Sequence, residues 1–384
     1  MNLARPLLRA IDERGFIEPT EIQNATIAKG LNSKANIMAA AETGSGKTLA
    51  YGIPLVQKIN AHIEKWGDAP EVMEQKVIGA NDEIMEDKSN IFEKERIREG
   101  PLGLILCPTR ELAVQVHDQL QDISKHTKVR TAVIIGGMSN EKQERVLSKV
   151  RPNIVVATPG RFWELQSQGQ AFLQNLDMIK YLVIDEADRM AEKGHFAELG
   201  SIMTAIGECQ KFVFSATLTL TNKGSKRMEL KNIKAETAES KLKRLMDILG
   251  FSKEHKSEVF DLSNKTMTAK KLTEFKVACS NEKEKDQWLY WLLHKKSGRA
   301  IVFVNAISCA LRLNGLLSPL QMPIHSLHAN LQQRQRLKHL DRFRSDKQAI
   351  LIATDVAARG LDIPNVEMIV HFQVKLLFCN LLYI

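Results

Sequence analysis

Six short apolar runs alternate with longer amphipathic stretches over the first 217 residues, and that alternation leaves the chain very few architectures. The runs are IMAAAE (37 to 42), LGLILCP (102 to 108), AVII (132 to 135), NIVVATP (153 to 159), YLVIDEAD (181 to 188) and KFVFSAT (211 to 217). A strand with one face in water alternates apolar and polar residues. These runs are apolar for four to six residues at a time, so both faces must be covered. The expected arrangement is a parallel sheet wrapped by helices, an α/β fold. After a lysine-rich stretch the series begins again, with AIVFVN (300 to 305), PIHSLH (323 to 328), AILIATD (349 to 355) and VEMIVHF (366 to 372). It reads as a second α/β unit, and 384 residues suit two domains of ordinary size.

The polar stretch NKTMTAKK (264 to 271) carries no apolar stripe and is placed as the linker, giving domains 1–263 and 272–384. Residues 61–100 hold eleven acidic against six basic side chains with little periodicity. They are expected to form an acidic surface insertion, a solvated helix pair being the other reading. Lys and Arg number 54 against 45 Asp and Glu, a balance of +9, and setting aside the −5 of the insertion leaves +14 on the remainder. Such a surface tolerates a polyanionic partner without requiring one. Five cysteines, at 107, 209, 279, 309 and 379, show no C-x-x-C spacing. They suggest neither a disulfide framework nor a thiolate zinc site, and fit a reducing compartment. MNLARPLLRA has no signal-peptide core, and the most apolar stretch, 368 to 384, contains His371, Gln373, Lys375 and Asn380, so no membrane span is expected.

Two clusters carry chemistry. Ala41-Glu42-Thr43-Gly44-Ser45-Gly46-Lys47-Thr48 directly follows a strand-like run and opens the helical pattern LAYGIPLVQKI. At such a turn backbone N–H groups can wrap a phosphate chain, the Lys47 ammonium can neutralise β/γ oxygens, and the Thr48 hydroxyl can hold Mg2+. Position 41 is Ala where the general pattern has Gly, and a plain Gly-rich strand-to-helix turn is the bland reading. Asp185-Glu186-Ala187-Asp188 ends another apolar run, which puts Asp185 at a strand's carboxyl end, on the crevice of an open sheet. There Asp185 suits a hydrated Mg2+, and Glu186 can accept the proton of an attacking water. An acidic helix N-terminus would be favoured by the macrodipole alone, but it accounts for neither the strand before it nor the glycine turn upstream. His325 and His328 have no Cys or carboxylate constellation nearby and read as a packed strand and its turn. Trp163, Trp288 and Trp291 read as core or helix-face residues.

Both clusters belong to a longer ordered set: GF-x-x-PTEIQ (15 to 23), AETGSGKT (41 to 48), PTRELA (108 to 113), Gly136-Gly137, TPGR (158 to 161), DEAD (185 to 188), SAT (215 to 217), VFVN (302 to 305), Gln333-x-x-Arg336 and ATDVAARGLDIP (353 to 364). Over nearly the whole chain this set resembles the DEAD-box RNA helicases of superfamily 2. The resemblance implies two tandem RecA-like domains, parallel sheets covered by helices, and an ATP-dependent helicase with ATP and Mg2+ as its cofactors. It implies that Gln23 reads the adenine edge with Thr20 and Phe16 shaping the pocket, that residues 41–48 hold the phosphates, and that Thr48 and Asp185 hold the metal. Lys47, Asp185 and Glu186 would serve hydrolysis, while Ser215 and Thr217 couple nucleotide state to domain closure. Pro108, Thr109, Arg110, Gly137, Thr158, Gly160 and Arg161 match first-domain RNA contacts, which grip phosphates and 2′-OH groups without reading sequence. Gln333, Arg336, Thr354 and Gly360 match RNA positions of the second domain, and Asp362 matches a residue that meets the ribose. The implied action is local strand separation by closure of two lobes. A DNA helicase fits less well, because the Q motif and the D-E-A-D spelling point to RNA. EADRM-x-x-KGHF, SATLTL and the insertion after the glycine turn are similar to the nucleolar branch that assembles the large ribosomal subunit. That implies a nuclear, nucleolar location, with pre-ribosomal RNA and pre-ribosomal proteins as partners.

The chain departs from the family at one end. VEMIVHFQ (366 to 373) runs into VKLLFCNLLYI instead of a Pro-Arg turn and an H-R-x-G-R-x-x-R motif. The expectation is a truncated, incomplete second domain and weak ATP turnover, since finger arginines stabilise charge on the transferring phosphoryl group. The apolar tail is expected to patch an exposed sheet face or to be unrelated sequence. A non-catalytic RNA- and ATP-binding fragment is the alternative reading.

Overall fold

The computed structural model describes residues 3–42, 44–67, 100–191, 197–216, 246–251, 257–262, 273–295, 298–354, 363, 365–373 and 381–383. The linker 264–271, most of the acidic stretch 61–100, and Thr43, Thr217, Gly360 and Asp362 lie outside the described residues.

Each apolar run of the first series is a strand: β1 (Asn36–Ala40), β2 (Gly103–Leu106), β3 (Thr131–Ile134), β4 (Ile154–Ala157), β5 (Tyr181–Ile184) and β6 (Gln210–Ser215). With β7 (Ser257–Asp261) they form a sheet in the order β3-β4-β2-β5-β6-β1-β7, every neighbouring pair parallel. All residues of β1, β2 and β4 are buried, as continuous apolar runs require. The sequence reading passed over β7. It is an edge strand whose residues alternate between exposed and half-buried, so it carries no continuous apolar run.

Helices α1 (Arg5–Glu13), α2 (Glu21–Asn32), α3 (Lys47–Trp66), α4 (Arg110–Ser124), α5 (Asn140–Val150), α6 (Pro159–Ser167), α7 (Ala187–Met190) and α8 (Glu198–Ala205) accompany this sheet. Helix α3 runs through Trp66, six residues into the acidic stretch. Leu55 and Ile59 on its apolar side lie under Gly103 of β2. On one face, strand residues Met38, Leu104, Leu106, Val155, Leu182, Ile184 and Val213 pack with Phe162 and Leu165 of α6 and with Leu199 and Ile202 of α8. Each such fully buried aliphatic or aromatic side chain contributes roughly 1.5–3 kcal/mol.

Contacts divide the chain into two compact units: Met1–Pro108 with Val116–Ile135 and Asn140–Ser263, and Asn264–Ile384 with Thr109–Gln115 and Gly136–Ser139. The second holds β8 (Lys276–Ala278), β9 (Arg299–Val304), β10 (Ile324–Leu327), β11 (Ile350–Thr354), β12 (Val366–His371) and β13 (Leu381–Tyr383), in the order β10-β11-β9-β12-β13-β8. Strands β10, β11, β9 and β12 are parallel, whereas β13 runs antiparallel to both β12 and β8. Leu381–Tyr383, the described part of the apolar tail, extends the sheet in its plane; pairing satisfies an edge that would otherwise present open backbone groups.

Helices α9 (Glu282–Lys295), α10 (Ile307–Leu317) and α11 (Gln333–Ser345) cover this sheet. Ala300, Val302, Ile350 and Ile352 pack with Leu289 and Leu293 of α9 and Leu313 of α10. Ile301, Leu351 and Ala353 pack with Leu340 and Phe343 of α11. The period of two along β9 and β11 assigns successive residues to opposite cores, which is why these runs had to be apolar throughout. No described helix is long and apolar enough to cross a membrane.

Candidate active site

Because the first sheet is parallel, every strand delivers its next residues to the same edge. Reading across the order β3-β4-β2-β5-β6-β1, that edge has two halves. The residues matched to nucleotide chemistry follow β5, β6 and β1: Asp185 and Glu186, Ser215, and the turn 41–48. Those matched to RNA follow β3, β4 and β2: Gly137, Thr158, and Pro108 with Thr109.

The turn between β1 and α3 is built by conformation. Gly44 and Gly46 have φ of +82° and +89°, a left-handed backbone that side chains disfavour, and such a turn aims N–H groups into one concavity. Among the described residues, the Ser45 hydroxyl is buried there without a hydrogen-bond partner. The Lys47 ammonium lies across the turn, donating to the Ala41 carbonyl at 2.7 Å and to the Ser215 carbonyl at 3.4 Å. An orphaned hydroxyl and a cation at a left-handed glycine turn that opens a helix fit a polyphosphate. Ala41 is buried and Glu42 exposed at the entry to the turn.

Gln23 stands beside this turn. Its Oε1 accepts from the Thr20 N–H at 3.0 Å, closing the first turn of α2, and its Nε2 donates to the Gly46 carbonyl at 3.1 Å. One amide hydrogen and one oxygen lone pair remain, which is what an adenine edge would use. Phe16 lies in the loop before α2, partly exposed, with the Arg14 guanidinium 5.7 Å from its ring centre.

Asp185 is 3% exposed. The Tyr51 hydroxyl of α3 donates to its Oδ2 at 2.8 Å and the Glu186 N–H to its Oδ1 at 2.9 Å. Burial pushes the Asp185 carboxyl up, opposed by the Tyr51 bond and the Lys47 charge. Burial, and then the neighbouring charges of Asp185 and Asp188, raise Glu186 to about 7. Glu186 is also held at φ +48°, ψ 52°, a left-handed conformation that costs a residue with a side chain roughly 1–3 kcal/mol and collects at functional sites. Asp188 accepts from the Ser215 hydroxyl at 2.7 Å, which ties the carboxylate cluster to the end of β6.

On the other half, the Thr109 hydroxyl accepts from the Leu112 N–H at 3.3 Å at the start of α4. A Cβ on Gly137, whose φ is +76°, would lie 2.7 Å from an Arg110 guanidinium nitrogen, so glycine is what allows that approach. Thr158 caps α6, Gly160 is exposed in its first turn, and Arg161 is 6% exposed. The Arg161 guanidinium pairs with Glu164 at 2.8 Å and donates to the Asn140 side chain, while its Nε has no hydrogen-bond partner among the described residues. In the second unit, Gln333, 3% exposed, and Arg336 open α11, while Thr354 ends β11.

The sequence model described as DEAD/DEAH box helicase matches residues 20–224, more than half of the chain. The chain belongs to that family. A second model, described as the helicase conserved C-terminal domain, matches residues 284–380. Among curated members, ATP-dependent RNA helicase ddx24 of Dictyostelium discoideum is 38% identical over 448 residues, covering 97% of this chain and 47% of its own length. ATP-dependent RNA helicase DDX24 of Homo sapiens is 37% identical over 468 residues, covering 96% and 54%. The chain spans about half the length of the curated relatives it matches. The solved structure of S. cerevisiae Dbp5 bound to RNA and ADP BeF3 superposes with a TM-score of 0.74 at 24% identity, over 98% of this chain and 80% of that one. That likeness establishes the fold, two tandem RecA-like domains.

One residue of this DEAD-box site escaped the sequence reading. Tyr51 lies three positions after Thr48 on α3 and is fully buried against Asp185. Its place in the sequence gives it the right face of the helix beside the glycine turn, but the partner is 134 positions away.

Proposed function

We propose that this chain is the helicase core of an ATP-dependent RNA helicase, which binds RNA by its backbone and separates strands locally. The observation that carries the proposal is the convergence of the glycine turn, with Lys47 and a Ser45 hydroxyl that has no partner among the described residues, on the carboxylates Asp185 and Glu186 at one edge of one sheet. Thr48, at the start of α3, and Asp185, at the end of β5, are hard oxygen donors that would hold Mg2+, which when bound neutralises phosphate charge. The chain's own residues do the rest. Backbone N–H groups and Ser45 bind the phosphates, Lys47 offsets their charge, and Gln23 orients the base with its free amide hydrogen and lone pair. Glu186, with a carboxyl raised to about 7, is suited to take a proton from water at neutral pH. The RNA-facing half beyond β2 offers hydroxyl, guanidinium and backbone groups, a set that grips sugar and phosphate. The named relatives, both ATP-dependent RNA helicases, support this reading. Its narrower form, action on pre-ribosomal RNA with pre-ribosomal proteins in the nucleolus, rests on the resemblance of EADRM-x-x-KGHF and SATLTL.

The test reads nucleotide binding and phosphate release on the same protein, with matched RNA and DNA oligonucleotides. RNA is expected to stimulate release and DNA not to. Lys47→Ala is expected to weaken ATP binding about 10- to 100-fold, the worth of one charge-assisted hydrogen bond of about 1.5–3 kcal/mol. Unaltered affinity in that variant would end the proposal.

A further inference from the structure

The geometry points to Tyr51 as a positioning residue for the metal-binding carboxylate: its phenol holds Asp185 in one arrangement, so that the magnesium form of the nucleotide binds more tightly than the bare form. The inference rests on the ATP-site reading above. Tyr51 is 0% exposed, and its ring packs edge-on against Phe214 of β6, with centroids 5.2 Å apart and planes at 64°. That packing leaves the hydroxyl a single direction, into the space between α3 and the end of β5. There it donates to Asp185 Oδ2 at 2.8 Å, while the Glu186 N–H takes Oδ1 at 2.9 Å. Both carboxylate oxygens are therefore fixed and the Asp185 side chain cannot rotate. One buried group of the helix that follows the glycine turn thus orients the carboxylate that ends the other cluster's strand.

A partner that orients a ligand is typically worth 10- to 100-fold in metal affinity or activity. Tyr51→Phe keeps the ring and removes only the hydroxyl. The measurement is the affinity of the whole chain for a fluorescent ATP analogue, once with Mg2+ and once with EDTA, expressed as the ratio of the two. The ratio is expected to fall about tenfold in Tyr51→Phe, while the EDTA affinity stays within about twofold of wild type. The electron paramagnetic resonance spectrum of Mn2+ in the nucleotide complex is expected to broaden, a change that loss of packing alone would not cause. An unchanged ratio, with wild type showing a clear gain from Mg2+, would make Tyr51 a packing residue and overturn the inference. Absence of any Mg2+ gain in wild type would instead overturn the ATP-site reading beneath it. Tyr51→Leu, which removes the donor with less bulk, gives the same ratio should the phenylalanine variant fail to fold.

Discussion

Strands β1 and β9 are both interior strands of parallel blocks, and each runs directly into a helix, but only one of the two connections can hold an anion. Between β1 and α3 lie the six residues 41 to 46, with left-handed glycines at 44 and 46 and between them the Ser45 hydroxyl, without a partner among the described residues. Between β9 and α10 lie Asn305 and Ala306 alone. Ala306 is extended at φ −125°, ψ 144°, and the Asn305 N–H is taken by the Gln373 side chain at 2.8 Å. The scaffold is the same and the helix dipole is the same. What differs is the length of the turn and the sign of φ. On the proposed function, a repeated α/β unit would acquire nucleotide chemistry through a few residues in one connection.

The strongest way to break that contrast is to make the first turn more like the second. Gly46 at φ +89° tolerates no side chain cheaply, and a Cβ there would lie 2.4 Å from Gln23 Nε2, the atom that donates to the Gly46 carbonyl. Gly46→Ala is expected to combine roughly 1–2 kcal/mol of left-handed strain with displacement of the Gln23 amide. Nucleotide affinity should drop about 30-fold or more, measured by calorimetry. Retention within a few-fold would mean that the turn's geometry is not what holds the phosphates.

What the sequence made legible follows the same division between local and distant causes. The apolar runs and the glycine spacing are local signals, and they locate β1 to β6, β9 to β12 and the phosphate turn. Strand β7 is amphipathic and β8 is three residues, so neither gives a continuous apolar run to find, while β13, also three residues, lies in an apolar tail with no turn signal that would mark it as a strand. Helix α3 continues past residue 60 because Ile63 is still buried, a fact of packing hidden beneath an acidic composition. Arg161, matched to RNA through its motif, is nearly buried with its guanidinium engaged by Glu164 and Asn140. That engagement depends on α5 and α6 meeting. The Tyr51 bond to Asp185 likewise exists only because β1 and β5 deliver their ends to one edge.

A smaller effect asks whether the end of β6 belongs functionally to the nucleotide half. Ser215→Ala removes the 2.7 Å bond to Asp188 and leaves an exposed carboxylate that water can serve. The stability cost should be only about 0.5–1.5 kcal/mol by denaturant titration. ATP affinity is expected within threefold of wild type and RNA-stimulated release reduced, because the bond lies between the two clusters rather than on the phosphates. A fall in ATP affinity as large as that of Lys47→Ala would instead place Ser215 in the binding turn itself.

The smallest expected effect separates the helices that follow the two connections. Gly315 sits in α10 with nothing within 4 Å of where its Cβ would be, whereas a Cβ on Gly52 in α3 would meet Leu120 Cδ2 at 3.0 Å and Ile123 Cδ1 at 3.4 Å. An exposed helical glycine costs roughly 0.5–1 kcal/mol relative to alanine through the freedom it loses on folding. Gly315→Ala should recover that amount, raising the denaturation midpoint without changing the slope. Gly52→Ala gains the same chain-entropy term but must push two buried side chains of α4, so its net effect should be zero or destabilising. Equal gains at both sites would mean that α4 yields easily beneath α3. In that case the close packing that carries Lys47, Thr48 and Tyr51 to the edge of the first sheet would be softer than these separations indicate.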